Sequence, residues 1–344
     1  MAKTLKIGII GCGAIAEHLH VPDYKLCPQA ELVAFCDIIG SKAKALADRF
    51  APGVQVYTDY KAMLKAGEVE AVSVCTPNYL HGPITMAAAK AGCHVFVEKP
   101  MATSLAEAKK MIDTAKKNNV LLMVDQSQRR FPAHVKAKEV LDSGIMGKVL
   151  HVTAMFGHAG PENWSPTGKW FFKKKEARFG AMADLGVHKA DLIRHLTGKE
   201  VKQVTAIYDT LEKKRTDVED NFASTLIFDD GTMGSLAASW TVKGCEANYL
   251  YLHCANGTLM VSVYPDKPLV ASLVNPACKI EFDLPKPPSN DEGGWSIDVT
   301  GSFLRAALGM EAPFCPGEEG MKSLAVILAC EEAAKTGRAV KVKV

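Results

Sequence analysis

No two cysteines in this chain are spaced C-x-x-C, although ten occur among its 344 residues. Nothing therefore points to a metal site or a dithiol redox site. The cysteines sit singly, several inside apolar runs (Cys36, Cys75, Cys330), where a thiol acts as a small hydrophobe. They read as the reduced thiols of a cytoplasmic protein. Long apolar runs are also missing: none approaches ~18 residues, so no membrane-spanning helix is expected. The opening Met1-Ala2-Lys3-Thr4 has neither the apolar region nor the small-residue cleavage site of a secretion signal. Charge of one sign is lacking as well, with 41 basic against 38 acidic residues and a net charge of +3. That balance argues against nucleic acid or a membrane surface as partner. The densest basic cluster, Lys173-Lys174-Lys175, is broken by Glu176 and reads as a solvated loop.

What is present is an ordinary globular composition, 48% hydrophobic and 23% charged, with length for two domains. The division falls at 1–125 and 126–344. The first part alternates strand-like and helical segments. Leu5–Ile10 runs directly into Gly11-Cys12-Gly13-Ala14-Ile15-Ala16, a G-x-G-x-x-A turn that opens a helix. Gly11 permits the tight turn, Gly13 lets the backbone approach a pyrophosphate, and Ala16 is small enough for helix and strand to pack. The N–H groups at Ala14 and Ile15, with the helix dipole behind them, suit the anion. The second strand, Glu31–Cys36, ends in Asp37, about 20 residues beyond the glycines, where the acid that binds the adenosine ribose belongs. Asp37 favours NAD, because a 2′-phosphate would meet a like charge. Lys42 is near enough in sequence to compensate, so NADP is not excluded.

Further strands at Val54–Tyr57, Ala71–Cys75, His94–Glu98 and Val120–Val124 complete a doubly wound parallel sheet of the Rossmann kind. Thr76-Pro77-Asn78 follows the fourth strand at the same edge as the glycine turn, and flanks the nicotinamide end of a dinucleotide. His81 either reaches that crevice or packs against it. The fifth strand ends in Glu98-Lys99-Pro100. Lys99 lies just past its carboxyl end, where open α/β sheets bind ligands. Glu98 stands at the same cofactor edge. As the extended neighbour of Lys99, its side chain points to the other face, which suits a structural role.

From Gly147 the pattern changes to long strands on tight turns such as Asp229-Asp230-Gly231 and Ala255-Asn256-Gly257. The second domain is therefore α+β, with a large, mostly antiparallel open sheet. Its strands are 148–156, 201–209, 220–228, 232–240, 249–255 and 259–264, with a last one at 339–344. The proline-rich stretch 265–294 reads as an irregular connection, and 295–308 and 318–336 as helices. Ahead of the sheet, Arg129-Arg130 invites an anion or polyol, with an ion pair expected for at least one of the two. In the helical segment Ala183–Gly198, Asp184 and His188 are four apart and share a face. Asp191 is placed to orient the imidazole, and His195 to sit as a cation near the helix end. His188 has the unperturbed pKa suited to proton transfer near neutrality. Taken alone, the helix reads first as a stabilising surface pair.

Four motifs now stand in order: Gly11-x-Gly13-x-x-Ala16 with Asp37; Thr76-Pro77-Asn78-x-x-His81; Glu98-Lys99-Pro100; and Asp184-Leu185-Gly186-Val187-His188-x-x-Asp191. The series resembles the Gfo/Idh/MocA oxidoreductases (glucose–fructose oxidoreductase, inositol dehydrogenase and relatives). The resemblance covers nearly the whole chain, including Arg130-Phe131 and Ser143-Gly144-x-x-Gly147-Lys148. It implies nicotinamide-dependent oxidation or reduction at a carbon of a sugar, cyclitol or similar polyol. It makes Lys99 a substrate-contacting lysine before a cis proline, His188 the acid/base and Asp184 a substrate anchor. Arg130, Asn163, Trp164 and Trp170 become pocket candidates, although a core or interface role serves the tryptophans equally well. One departure is the run Arg178-Phe179-Gly180-Ala181-Met182, where the family often carries glycines. A bulky Phe179 and a cation at Arg178 are expected to reshape the pocket. Two other functions stay open: an NAD-dependent glycosidase using transient sugar oxidation, and a non-catalytic dinucleotide sensor, against which the retained Lys99, Asp184 and His188 argue. The open sheet face predicts a homo-oligomer, dimer or tetramer.

Overall fold

The structure, a computed structural model, describes residues 3–262, 267–285 and 296–344. The chain forms two compact units. One holds 1–127, 164–170 and 287–321; the other holds 128–163, 171–286 and 322–344. No helix among the described residues is long and apolar enough to cross a membrane.

The first unit is built on six parallel strands: β1 (Leu5–Ile10), β2 (Ala30–Cys36), β3 (Gln55–Tyr57), β4 (Ala71–Val74), β5 (His94–Val97) and β6 (Leu122–Val124). Their spatial order is β3-β2-β1-β4-β5-β6. The order reverses at β1 and β4, and a crevice for a ligand opens outside the carboxyl ends there. Ile7, Ile9, Val72, Val95 and Phe96 are fully buried. Both faces of the sheet are therefore covered, which is why these strands read as continuous apolar runs.

Local signals end the helices where the residues dictate. Asp59 caps Tyr60–Ala66 by accepting from the Lys61 N–H, and Gly67 closes that helix in the left-handed conformation. Ser104 Oγ accepts the Glu107 N–H, but the Glu107 carboxylate returns to Thr103 and not to Ser104. The first helix contains a wide π turn, Ala16–His20, with the Val21 N–H bonded to the Ala16 carbonyl. That turn sits just ahead of Pro22, which has no N–H and crowds the carbonyl four residues back. A later segment also belongs to this unit. Phe303, on the helix Val299–Ala307, stacks on Phe96 with centroids 5.2 Å apart. Asp23 accepts from Ser296 Oγ and from both the N–H and Oγ1 of Thr300.

Among the described residues, the second unit carries nine strands: β7 (Val149–Gly157), β8 (Val201–Asp209), β9 (Asn221–Phe228), β10 (Met233–Ser239), β11 (Ala247–Cys254), β12 (Gly257–Ser262), β13 (Leu269–Val274), β14 (Ala277–Glu281) and β15 (Val340–Lys341). They lie in the order β14-β13-β12-β11-β7-β10-β9-β8-β15. Every pair is antiparallel except β7 with β10. Burial alternates along β9 from Phe222 to Phe228, so one face is covered and the other open. The helices Pro132–Asp142 and Val187–Thr197 pack on the covered face.

The stretch expected to be irregular, 265–294, instead contains the hairpin β13–β14. Every residue of β14 is exposed, so it has no alternation to read, and prolines around it mask the strand. Residues 263–266 and 286–295 lie outside the described residues. They include Tyr264 at the end of an expected strand and Trp295 at the start of an expected helix. The last strand is shorter than expected, Val340–Lys341.

Candidate active site

In the first unit, Gly11 adopts φ +92°, and a Cβ there would lie 2.6 Å from the Cys75 carbonyl oxygen. Glycine is required for the β1 turn to pass against the end of β4. Gly13 differs: a Cβ there would meet nothing within 4 Å. No protein atom demands glycine at Gly13, whereas a close-lying pyrophosphate would. The helix opens at Ala14 and Ile15, and Ala16 is fully buried. Asp37 secures the turn: Oδ2 accepts the Cys12 N–H at 2.9 Å and Oδ1 the Ile39 N–H at 2.8 Å. Each carboxylate oxygen keeps a second lone pair for a ribose hydroxyl.

Beyond β4, Pro77 is half-buried, Asn78 is buried, and the buried Oγ1 of Thr76 has no protein partner. An orphan hydroxyl at a strand's carboxyl end suits a cofactor hydrogen bond. His81 is buried. Its Nε2 lies 2.7 Å from the Thr76 carbonyl oxygen and its Nδ1 2.8 Å from that of Pro100. Burial pulls its pKa down, so the neutral ring donates to one of these carbonyls while tying the turn after β4 to the turn after Lys99. The Lys99–Pro100 peptide is cis, and Lys99 is half-buried.

Glu98 turns inward. Its Oε1 is 3.0 Å from His20 Nε2, and its Oε2 accepts the Lys99 N–H at 3.1 Å. His20 and its second acid, Asp125, drew no attention in the sequence. They sit 78 residues before Glu98 and on a different strand end, respectively, and no short-range spacing links them.

In the second unit, a π turn, Met182–Gly186, leads into the α-helix Val187–Thr197, and Gly198 closes it in the left-handed conformation. Asp184 Oδ2 accepts from Trp240 Nε1 at 2.9 Å, and His158 Nε2 lies 3.9 Å from the same oxygen. Asp184 and His188 are only 8% and 9% exposed. The His188 ring lies 5.9 Å from Phe156. Trp240 and His158 each lie one residue past a strand end and belong to no sequence motif.

Asp191 does not orient His188. Arg129 takes it in a two-pronged ion pair, Nε to Oδ2 at 2.6 Å and a terminal nitrogen to Oδ1 at 2.7 Å, and Ser323 Oγ adds a third bond. His195 is not a cation: burial, followed by the nearby Arg129 charge, pulls its pKa down to about 4. Lys189, fully buried beside His188, bonds Gln128 Oε1 at 3.2 Å, and burial lowers its pKa to about 7. Arg178 reaches Glu331 at 3.0 Å and covers the buried Phe179 ring. Both residues therefore have structural work within this unit. Gly180 must be glycine, since a Cβ would fall 1.8 Å from the Glu219 carbonyl oxygen.

Of the remaining candidates, Arg130 is half-buried and Asn163 exposed in the second unit, while Trp164 (39% exposed) and the half-buried Trp170 belong to the first. Lys99 likewise belongs to the first unit, and Asp184 and His188 to the second.

Both units have counterparts among known proteins. Residues 5–126 match the family model described as "Oxidoreductase family, NAD-binding Rossmann fold", and residues 134–260 match "GFO/IDH/MocA C-terminal domain". The chain is 30% identical to D-glucoside 3-dehydrogenase of Escherichia coli K12, over 77% of this chain and 78% of that one. It is 27% identical to 1,5-anhydro-D-fructose reductase of Ensifer adhaerens over 98% of each. Among solved structures, the WlbA dehydrogenase of Bordetella pertussis, in complex with NADH and UDP-GlcNAcA, superposes with a TM-score of 0.84. It is 25% identical and covers 99% of this chain and 100% of its own.

Proposed function

The chain belongs to the Gfo/Idh/MocA family of NAD-binding oxidoreductases, and from that premise we propose that it interconverts a secondary alcohol and a ketone on a sugar, cyclitol or related polyol. NAD supplies the hydride acceptor in oxidation and, reduced, the donor in the reverse direction. Lys99 hydrogen-bonds the reacting oxygen and stabilises the charge that develops there. His188 takes the hydroxyl proton during oxidation and returns it during reduction. Asp184 holds a neighbouring hydroxyl. Arg130, Asn163, Trp164 and Trp170 contact the rest of the sugar, the tryptophans by stacking on its apolar face.

The observation that carries the reading is the fixing of Asp184 by Trp240 on the helical segment that bears His188. A nearly buried carboxylate oriented by an indole N–H is built to hold a ligand in register. The substrate class rests on the relatives, which are named for glucosides and anhydro-sugars. NAD is favoured over NADP by the Asp37 carboxylate.

The open sheet face carries Ile207, Ile227, Met233 and Tyr251, all exposed, which supports a homo-oligomer built through that face. Cys12, Cys36, Cys75 and Cys330 are buried free thiols, as a reducing cytoplasm would keep them.

The test is a panel of pyranosides, anhydro-sugars and cyclitols with their keto forms, scored by NADH absorbance with NADPH in parallel. Substrate-dependent NADH formation or consumption is expected for at least one sugar or cyclitol. Release of free sugar from a glycoside with no net NADH, or tight NAD binding with no turnover of any polyol, would contradict the reading.

A further inference from the structure

Within the first unit, three ionisable side chains lie under the carboxyl ends of β4, β5 and β6 and play no part in the reaction described above. His20 Nε2 is 3.0 Å from Glu98 Oε1 and 3.3 Å from Asp125 Oδ2. Its Nδ1 meets Ser73 Oγ at 3.1 Å, and Ser73 Oγ meets the Tyr24 hydroxyl at 2.8 Å. His20 is fully buried, Asp125 is 1% exposed and Glu98 8%. Asp125 Oδ1 has no hydrogen-bond donor. One imidazole thus faces two acids. With all three ionised the cluster is net negative; with a proton on Asp125 it is neutral.

We propose that this cluster sets which redox form of the nicotinamide the protein prefers: ionised Asp125 favours the cationic oxidised ring over the neutral reduced ring, and a proton on Asp125 removes that preference. A dinucleotide on this fold lies across the carboxyl edge, with its pyrophosphate at the Gly11–Ala16 turn and its adenosine ribose toward Asp37 on the β2 side. Held in that way, its nicotinamide half would fall toward β4, β5 and β6, the part of the sheet that holds the cluster. Only the oxidised ring carries a charge for a buried carboxylate to attract, and the interior screens that attraction weakly. The inference rests on NAD binding and is independent of which substrate is turned over.

The groups facing the cluster leave Asp125 as its titrating member. Burial and then the Glu98 charge push the Asp125 carboxyl up to about 6, and Asp23 on the first helix presses the same way. Burial alone would strip His20 of its proton, but contact with Asp125 and Glu98 opposes it and raises the ring's pKa, without any charge from the neutral Cys75 thiol. Burial also opposes ionisation of Glu98, and the His20 contact and the Lys99 charge reverse that. Cys75 and Tyr24 are raised by burial and His81 is lowered by it, so all three stay neutral near neutrality.

The experiment measures dissociation constants of NAD+ and NADH separately, by fluorescence titration without substrate, from about pH 5 to about pH 8. The wild-type ratio Kd(NADH)/Kd(NAD+) is expected to rise about tenfold across the Asp125 titration, the order expected for one weakly screened buried charge acting on the ring. Asp125→Asn should hold the ratio flat at its low-pH value, weakening NAD+ and leaving NADH binding alone. A flat wild-type ratio, or an Asp125→Asn variant that keeps the full rise, would overturn the proposal. So would a stoichiometric metal in the purified protein that Asp125→Asn lacks. The wild-type titration decides even if the variant fails to fold. Failure to bind either form of the dinucleotide would overturn the cofactor assignment itself, and this inference with it.

Discussion

The Trp240 indole N–H donates to Asp184 Oδ2 at 2.9 Å, joining a fully buried ring at the end of β10 to the π turn ahead of the His188 helix. If that bond orients a substrate-holding carboxylate, Trp240→Phe should cost more in catalysis than in folding. The expected result is a fall in kcat/KM of roughly tenfold or more, since a misplaced anchor costs at least that much. Steady-state kinetics set beside a thermal melt separates the two effects.

Arg129 and Asp191 form a buried ion pair, with side chains 5% and 1% exposed. Removing one partner leaves an uncompensated charge. Arg129→Ala or Asp191→Ala should therefore each destabilise the protein by roughly 3–5 kcal/mol. The apolar pair Arg129→Met with Asp191→Leu should recover most of that loss. Urea denaturation of the three variants measures it. Because Asp191 is not bonded to His188, the recovered double variant should keep its turnover.

These two pairs also show what could be read from residue order. The Gly11–Ala16 turn, Asp37 and the Lys99 strand end are legible because each is a local pattern with one dominant physical use. The role of Asp191 is not. Its spacing from His188 suggests an orienting acid, but its partner comes from 62 residues upstream. His20, Glu98 and Asp125 meet only when the π turn of the first helix packs over the ends of β5 and β6. Strand β14 has no buried face to betray it, and Trp240 is identified only by what it touches. Alternation, caps and glycine turns are properties of short windows, whereas ion pairs and anchors depend on the tertiary register.

Asp37 bonds the N–H groups of Cys12 and Ile39, and its charge repels a 2′-phosphate. Asp37→Ser should weaken NAD binding and reduce the NAD-over-NADP preference by about tenfold or more, since a like-charge contact costs several kcal/mol. Parallel titrations with NADH and NADPH test this. An unchanged preference would show that another residue discriminates.

Stability should fall on mild acidification. Burial holds His134 down to about 3 and His195 to about 4, whereas in the unfolded chain both titrate near ~6.5. Between those values the unfolded chain binds protons that the native state does not. Stability then drops by ~1.4 kcal/mol per pH unit for each histidine as pH falls below ~6.5. His20 has the opposite sign: its raised pKa contributes stability that is fully present below ~6.5 and lost as pH rises through the folded value. Between about pH 6.5 and about pH 5 the two histidines together should lower stability by roughly 3 kcal/mol, partly offset by proton uptake on the raised Asp125 carboxyl; urea denaturation should show His134→Gln removing about half of the histidine contribution.

The most direct test of the whole account is single-turnover NADH formation, with the best substrate from the panel, in wild type, Lys99→Met and His188→Ala, alongside the NAD dissociation constant of each. Both variants should lose turnover by at least about a hundredfold, the scale of a general acid–base or electrostatic contribution, while binding NAD within a few-fold of wild type. Wild-type-like hydride transfer in both variants would contradict the account.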